Sequence, residues 1–439
     1  MTKQRKLKDL IRARMEKTGE RYSTARLRIL LSGVGSGGLE LHQAAGYLFS
    51  PGICRDTGAA TNFLRALGVR DSATGEPLSE ALVTGLSGGV GFLYMVFEYT
   101  GLPPMLSVLM RYDTSADQFV IGGLKRLGLD LEIKETTSAK AAEKSLEEAI
   151  GAGCPALCVV DSVTLTDSLM PAMLKGMVPT VVTVTGEQGG ELLIDTGSIG
   201  PVRVSRHEFA AARAAFKKGK HRMVTLRGNP DLADLAGAIN GAIAGTADRY
   251  TNAPYKGYAS NFGLAGMEKW HRLLTDPKDK KGWAKLFPDN QAACLGLRRA
   301  YMGIHHEMTP PGGGRGVYAA FLRQSAEITG NDRYLLAADA FDAAGERWGA
   351  IEDAIASCGV LDVASGCGLL DEYGALLDAQ QDTRVPAVTD LKGRLDALTA
   401  SSELDHARAL EIYSDLAGML GEAIKCEKAA HQRLLDALN

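Results

Sequence analysis

The sequence predicts an α+β protein whose second half is entirely helical, and two patterns support this prediction. Between residues 45 and 225, helical spacings alternate with β-branched runs of strand length. From residue 226 to residue 439, apolar residues recur every three or four positions, which is typical of packed helices. We therefore divide the chain into a basic helical arm (1–31), a glycine-rich linker (32–44), a mixed domain (45–225) and a helical domain (226–439).

The composition is that of an ordinary soluble globular protein. The net charge is −3 and 45% of the residues are hydrophobic, a balance that favours neither nucleic acid nor a membrane as partner. No apolar run reaches the roughly 20 residues of a membrane-spanning helix. The seven cysteines are odd in number and scattered, and the N-terminus lacks the apolar core of an export signal. We therefore expect reduced thiols and a cytoplasmic protein.

The basic arm is predicted to form two short helices separated by the sequence "TGE". It carries ten Lys and Arg residues against three Asp and Glu residues. A basic helical face suits nucleic acid or an acidic protein, but a solvated arm that packs on the main body gives the same pattern. Only Tyr22 is interleaved with the basic residues, so we favour the packed arm and leave nucleic-acid binding open. Nothing in the sequence indicates an oligomeric state.

The linker contains a weak dinucleotide-binding motif. Gly33, Gly35 and Gly38 satisfy the spacing G-x-G-x-x-G. A dinucleotide site needs a buried strand before these glycines and a helix after them. The preceding residues, "TARLRILL", have the pattern of a basic helix, so this segment is interpreted as a linker.

Four local signals define the mixed domain. Residues Gly58–Gly68 have the pattern of a helix that ends at a glycine cap. The apolar run Ala156–Val163 has the length and composition of a strand, and Pro179–Gly197 reads as a β-hairpin about a glycine-bearing turn. A further helix is predicted to begin at Ser205, because Glu208 follows it at the spacing of a capping box.

The stretch "GLSGGVGFLY", residues 85–94, has three interpretations. A phosphate-binding loop would need Lys and then Ser or Thr after the glycines, and Phe92, Leu93 and Tyr94 stand there instead. Glycines also allow one backbone to approach another segment closely, which is a packing role. The third interpretation is that the stretch marks a protein family.

That family resemblance is carried by the segment 77–98, "PLSEALVTGLSGGVGFLYMVFE", which resembles the motif of butirosin biosynthesis protein H-like N-terminal domains. The later segments "NFGLAGMEKW" and "GGGRGVYAAFLRQSAEI", with Trp348 downstream, resemble the helical domain of unknown function that usually follows such a domain. The resemblance covers roughly residues 45–350.

The resemblance implies a papain-like cysteine acyltransferase or peptidase core and a role in natural product or antibiotic biosynthesis. Such a protein moves an acyl group from a carrier-protein thioester, a phosphopantetheine donor, to the amine of a small molecule, and it needs no bound cofactor. By position, the resemblance implies Cys54 and Asp195 as catalytic residues. The residues it implies for substrate binding are Ser79, Glu80, Gly88, Gly89, Tyr94 and Asp161.

The sequence lacks the histidine that is expected to act as the catalytic base in this family. Ile53 stands where a His is expected before Cys54, and the segment that normally supplies the base reads "LKGMVPTVVTVTG", without His. A thiol nucleophile normally relies on an imidazole that titrates near neutral pH. Two functions therefore remain: an acyltransferase that uses Cys54, or a catalytically degenerate member that acts as a binding or assembly module.

Neither the cysteines nor the histidines predict a metal site. His305 and His306 lie beside the glycine-rich segment 309–316, which is predicted to be a loop. Adjacent residues on one element point in different directions, so at most one of the two is expected to face a given site, and no third ligand is evident.

Overall fold

A computed structural model of the chain describes residues 3–32, 42–44, 46–72, 74–98, 100–101, 103–112, 115–164, 168–170, 172–379 and 381–439. It shows an α+β protein with a sheet in the N-terminal part and a helical C-terminal part, which confirms the predicted fold class. The three linker glycines of the dinucleotide-like motif lie outside the described residues.

The α-helices have the following bounds: α1 (Lys3–Thr18), α2 (Tyr22–Leu31), α3 (Arg55–Ala66), α4 (Glu80–Ser87), α5 (Ala116–Arg126), α6 (Ala139–Gly151), α7 (Arg206–Ala215), α8 (Leu235–Arg249), α9 (Gly263–Thr275), α10 (Trp283–Leu286), α11 (Asn290–His305), α12 (Arg315–Thr329), α13 (Arg333–Ala356), α14 (Leu361–Leu376), α15 (Gln381–Ala400) and α16 (His406–Leu438).

The strands are β1 (His42–Ala44), β2 (Tyr47–Phe49), β3 (Leu93–Phe97), β4 (Met105–Leu109), β5 (Leu131–Lys134), β6 (Ala156–Asp161), β7 (Pro179–Gln188), β8 (Glu191–Asp195), β9 (Val202–Ser205) and β10 (Met223–Leu226). Six of them form one sheet in the order β5-β10-β6-β7-β8-β9, and all its neighbours are antiparallel. β1 pairs with β2, and β3 pairs with β4, as two separate hairpins.

The chain forms two compact units, and each unit is built from three chain segments. The first, which we call the sheet unit, comprises Met1–Ser87, Ser115–Ile239 and Ala375–Asp390. The second, which we call the helical unit, comprises Gly88–Thr114, Asn240–Gly374 and Leu391–Asn439. The domain boundary predicted at 225/226 stays a prediction.

The six-stranded sheet is covered by helices on both faces. On one face, Val160, Val182 and Ile194 pack with Leu146 of α6 and Phe209 of α7. The other face carries α3, whose residues 56–64 are all buried. The contact is close, because the hydroxyl of Thr183 on β7 donates to the carbonyl of Ala59 at 3.3 Å. The sheet therefore holds the start of α3 at a fixed place in the sheet unit.

The local signals of the mixed domain are confirmed. The predicted hairpin forms as β7 and β8, joined by Gly189 and Gly190 with φ of 64° and 82°. Ser205 and Glu208 make the reciprocal bonds of a capping box at the start of α7. The segment 309–316, predicted as a loop, instead contains a short 3₁₀ turn and the beginning of α12.

The basic arm folds as two helices that pack within the sheet unit. Leu7 and Ile11 of α1 are fully buried against α2. The guanidinium of Arg26 donates two bonds to the carboxylate of Asp378, at 2.7 and 2.9 Å, and both side chains are largely buried. This bidentate pair supports the interpretation of the arm as a packed element.

The glycine stretch serves packing in the helical unit. A Cβ atom on Gly89, which has a φ of 64°, would lie 2.3 Å from the ring of Tyr318. A Cβ on Gly91 would lie 2.5 Å from the backbone nitrogen of Tyr112. Side chains cannot fit at these two positions, so the glycines allow close approach of backbone and aromatic ring.

A buried ion pair organises the same region of the helical unit. Arg315 at the start of α12 and Glu427 on α16 are both fully buried, with 2.7 Å between Nε and Oε1. Arg315 also donates to the carbonyl oxygens of Gly91 and Met110, at 2.9 and 3.0 Å. The carboxylate accepts a further bond from Nε1 of Trp348 at 2.6 Å. These bonds satisfy both charges inside the unit.

We predict that Glu427→Gln destabilises the protein by about 3–5 kcal/mol, because it leaves the guanidinium of Arg315 buried without its counter-charge. Urea unfolding followed by circular dichroism measures this loss. The matched control is Glu422→Gln on the same helix, where an exposed carboxylate pairs with Lys425; this variant should unfold like the wild type. Equal unfolding midpoints for the two variants would contradict the assigned role of the buried pair.

Candidate active site around Cys54

Cys54 lies at the residue that caps the N-terminus of α3. Its backbone is extended, with φ of −114° and ψ of 153°, and its side chain makes no capping bond. The thiol belongs to a partly buried residue and is not in a disulfide. A thiol in this position is next to the positive end of the helix dipole, which favours a negative charge.

The start of α3 is held by the carboxylate of Glu80. This carboxylate accepts bonds from the backbone N–H groups of Ile53 and Cys54, at 2.6 and 2.8 Å, and from the hydroxyl of Thr57 at 2.6 Å. Burial raises the pKa of Glu80, while these hydrogen bonds act in the opposite direction. Glu80 therefore places a carboxylate at the N-terminus of α3, the same helix end that would stabilise a thiolate of Cys54.

Three glycines allow the close packing at this helix start. The N–H of Gly52 donates to the carbonyl of Gly197 at 2.9 Å. A Cβ on Gly58 would lie 2.6 Å from the Cα of Gly52, and a Cβ on Gly197 would lie 2.3 Å from the carbonyl oxygen of Arg55. The sequence analysis did not identify these glycines, because their partners are remote in sequence.

Asp195 ends β8 and is completely buried. Its carboxylate accepts bonds from the hydroxyl of Tyr47 at 3.0 Å, the amide of Asn62 at 2.9 Å and the N–H of Gly197 at 2.7 Å. Burial raises the pKa of Asp195 to about 6, against the effect of these bonds. Asp195 thus connects β2, α3 and the turn after β8, and Tyr47 and Asn62 are partners that sequence reasoning missed.

Asp161 ends β6 and is also completely buried. It accepts bonds from the hydroxyl of Thr164 at 2.8 Å and from the N–H of Gly176 at 3.0 Å. In the antiparallel register it lies opposite Pro179, the first residue of β7. These contacts order the segment that leads into β7, and a role of Asp161 in substrate binding stays a prediction.

The remaining predicted substrate-binding residues divide between the two units. Ser79 lies in the sheet unit, and its hydroxyl accepts a bond from the N–H of Leu82 at 3.1 Å at the start of α4. Gly88, Gly89 and Tyr94 lie in the helical unit. Tyr94 is buried, and its hydroxyl accepts a bond from Nε1 of Trp283 at 3.0 Å. Each of these residues has structural contacts, and their roles in substrate binding stay predictions.

Histidines occur elsewhere in the sheet unit. His207 is exposed in the first turn of α7. His221 precedes β10, and burial lowers its pKa. From Cys54 to residue 206 the sequence contains no His, so α3, β7 and β8 carry no imidazole.

Comparison with known proteins identifies two domains in the order that the sequence predicted. Residues 55–195 match the family described as butirosin biosynthesis protein H, N-terminal, and residues 207–383 match a domain of unknown function, DUF4872. These two segments of the chain are thus similar to the two families, in that order. Cys54 directly precedes the first matched segment.

Other comparisons give less. No curated protein matches the chain. Among solved structures, a crystal structure described as a C39-like peptidase from Bacillus anthracis matches with a TM-score of 0.29 and 11% sequence identity. That match covers 43% of this chain and 98% of the other chain. Among the described residues, no helix is both long enough and apolar enough to cross a bilayer.

The buried carboxylate of Asp195 predicts a specific pH dependence of stability. Because burial raises its pKa to about 6, above the value of about 4 in an unfolded chain, folding takes up a proton between these two values. The contribution of Asp195 to the free energy of unfolding is therefore complete below about pH 4 and falls as the pH rises towards about 6.

Urea unfolding of the wild type and of Asp195→Asn at half-unit steps from pH 4 to pH 6.5 measures this contribution. The free energy of unfolding of the wild type minus that of the variant should fall by roughly 2–3 kcal/mol across the range, since the amide does not titrate. Other groups titrate equally in both proteins and cancel. A difference that stays constant or rises with pH would contradict the assigned effect of burial.

Proposed function

We propose that Cys54 is the nucleophile of an acyl transfer from a thioester to the amine of a small molecule. The observation that carries this proposal is the position of Cys54, a partly buried residue, at the start of α3, directly before the segment that matches the butirosin H family. A phosphopantetheine thioester on an acyl carrier protein is the donor that this chemistry suits. The reaction needs no bound cofactor.

The reaction has two steps. In the first, the thiolate of Cys54 attacks the carbonyl carbon of the donor, the bond from that carbon to the donor sulfur breaks, and the donor leaves as a thiol after taking up a proton. In the second, the amine attacks the acyl-cysteine, the bond to Sγ breaks, and an amide and the thiolate are formed. The amine loses one proton to the solvent, so atoms and charges balance.

The group that takes the proton from the thiol of Cys54 in the first step differs from the histidine that is usual in the family. Pro179 begins β7, in the segment where the family normally supplies an imidazole. α3, β7 and β8 carry no His, and we propose that the thiol of Cys54 loses its proton to water or to the incoming amine. The rate of acylation should therefore rise with pH, as a larger fraction of the thiol becomes thiolate.

A second candidate function is a binding or assembly module without acyl transfer. The specific observation in its favour is the carboxylate of Glu80, which occupies the N–H groups of Ile53 and Cys54. Its negative charge opposes the formation of a thiolate at the helix start. In this case Cys54 is a structural residue, and the sheet unit binds its partner without covalent chemistry.

Incubation with an acyl-pantetheine thioester, followed by intact mass measurement from pH 6 to pH 9.5, distinguishes the two functions. Acyl transfer predicts one acyl adduct that forms faster with rising pH and is released by added amine. The adduct should disappear in Cys54→Ala and remain in Cys154→Ala, the matched control with another partly buried thiol of the sheet unit.

If the wild type forms no adduct, or if the adduct persists in a folded Cys54→Ala protein, the acyltransferase proposal is wrong. The absence of an adduct over the whole pH range supports the binding module. Cys54→Ser, which keeps the size of the side chain, serves as a second variant if the alanine variant does not fold by circular dichroism.

A further inference from the structure

A cluster of imidazoles and carboxylates lies in the helical unit. His305 is the last residue of α11 and His306 follows it, while Asp371 comes from α14 and Glu352 from α13. The side chains of His305 and Glu352 are 1% and 3% exposed. Those of His306 and Asp371 are 11% and 18% exposed, so the cluster is buried on one side and reaches solvent on the other.

Three potential metal ligands converge in this cluster. Nε2 of His305 lies 3.4 Å from Oδ1 of Asp371, and Nε2 of His306 lies 3.1 Å from the same oxygen. In a tetrahedral zinc site with bonds of about 2.0–2.1 Å, neighbouring ligand atoms are about 3.3 Å apart. One ligand atom from each of the three residues lies within 4.8 Å of the others. Small side-chain rotations therefore bring all three to bonding distance of one ion.

The neighbouring residues orient the ligands as in known metal sites. Oε2 of Glu352 lies 2.7 Å from Nδ1 of His305, and because a carboxylate only accepts, Nδ1 carries the proton. The other oxygen of Glu352 accepts a bond from the N–H of Gly312 at 2.7 Å, which fixes the carboxylate. When this imidazole is neutral with its proton on Nδ1, the lone pair of Nε2 faces Oδ1 of Asp371, 3.4 Å away. A carboxylate that holds the far nitrogen of a ligating histidine is a common feature of metal sites.

Asp371 and the imidazoles are further positioned by an aromatic residue. The hydroxyl of Tyr301 donates to Oδ1 of Asp371 at 2.7 Å, and its ring stacks on that of His305 with 4.9 Å between centroids. The carboxylates of Glu352 and Asp371 bring two negative charges into a largely buried place, and such charges need compensation. A divalent cation between the imidazoles and Asp371 would compensate both charges.

The sequence analysis was wrong about the two histidines. It expected at most one of them to face a given site, as on a regular helix. His306 instead has φ of −132° and ψ of −34°, outside the helical range, so the chain turns at the end of α11. Both imidazoles consequently lie at Asp371, which is remote in sequence and offers a third potential ligand.

We propose that His305, His306 and Asp371 bind a divalent first-row transition-metal ion, best matched by Zn²⁺, with the fourth coordination position open to water. Two imidazoles and one carboxylate form a donor set typical of zinc, and the partly exposed sides of His306 and Asp371 give the ion a route from solvent. Glu352 is a positioning residue for His305. The proposal is independent of the proposed function of Cys54.

The test uses the untagged full-length protein, freed of metal by a chelator and then titrated with Zn²⁺ or Co²⁺. Isothermal titration calorimetry with Zn²⁺ should give one ion per chain, and Co²⁺ should give the visible absorption of a four-coordinate site. Asp371→Asn and His306→Gln should abolish stoichiometric binding. Glu352→Gln should weaken it by roughly 10–100-fold.

His207→Gln is the control, because this exposed histidine lies in the sheet unit, and it should bind metal like the wild type. Circular dichroism confirms that each variant is folded. A wild type that binds no ion stoichiometrically would overturn the proposal and leave the cluster as a hydrogen-bonded core network. Unchanged affinity in both Asp371→Asn and His306→Gln would overturn it equally, since the ion would then bind elsewhere.

Discussion

The carboxylate of Glu80 fixes the start of α3, and the candidate site depends on this interaction. Three donors from one short stretch, the N–H groups of Ile53 and Cys54 and the hydroxyl of Thr57, converge on the carboxylate. At the same place, glycines bring the turn after β8 into contact with the helix. The position of the Cys54 thiol is therefore set by a partly buried acid at the start of the next helix.

This arrangement has a chemical consequence. The same carboxylate that holds the helix start brings negative charge close to the thiol, whose Sγ is within about 7 Å of Oε1 by ordinary bond lengths. Coulomb repulsion at that distance is about 1–3 kcal/mol at the effective dielectric of a protein surface. An imidazole partner would compensate this effect, and α3, β7 and β8 carry none. The helix start therefore favours a thiolate of Cys54 while the carboxylate of Glu80 opposes it.

Elements whose signals lie within a few residues of one another in the sequence could be predicted. The capping box at Ser205 and the hairpin of β7 and β8 carry their signals within a few residues. The partners of Asp195 could not be predicted, because Tyr47 and Asn62 meet it only through the packing of β2 and α3 on the sheet. The contact of His305 and His306 with Asp371 was missed for the same reason. These residues are far apart in the sequence, and their spacing does not indicate that they meet.

The rate of Cys54 alkylation at pH 7 in Glu80→Gln measures how strongly the carboxylate of Glu80 suppresses the thiolate. The amide keeps the size of the side chain and removes its charge, so we expect labelling several times faster than in the wild type. Glu76→Gln, at an exposed position four residues earlier, should label at the wild-type rate. Equal labelling rates in a folded Glu80→Gln protein and in the wild type would show that the carboxylate does not control the thiol.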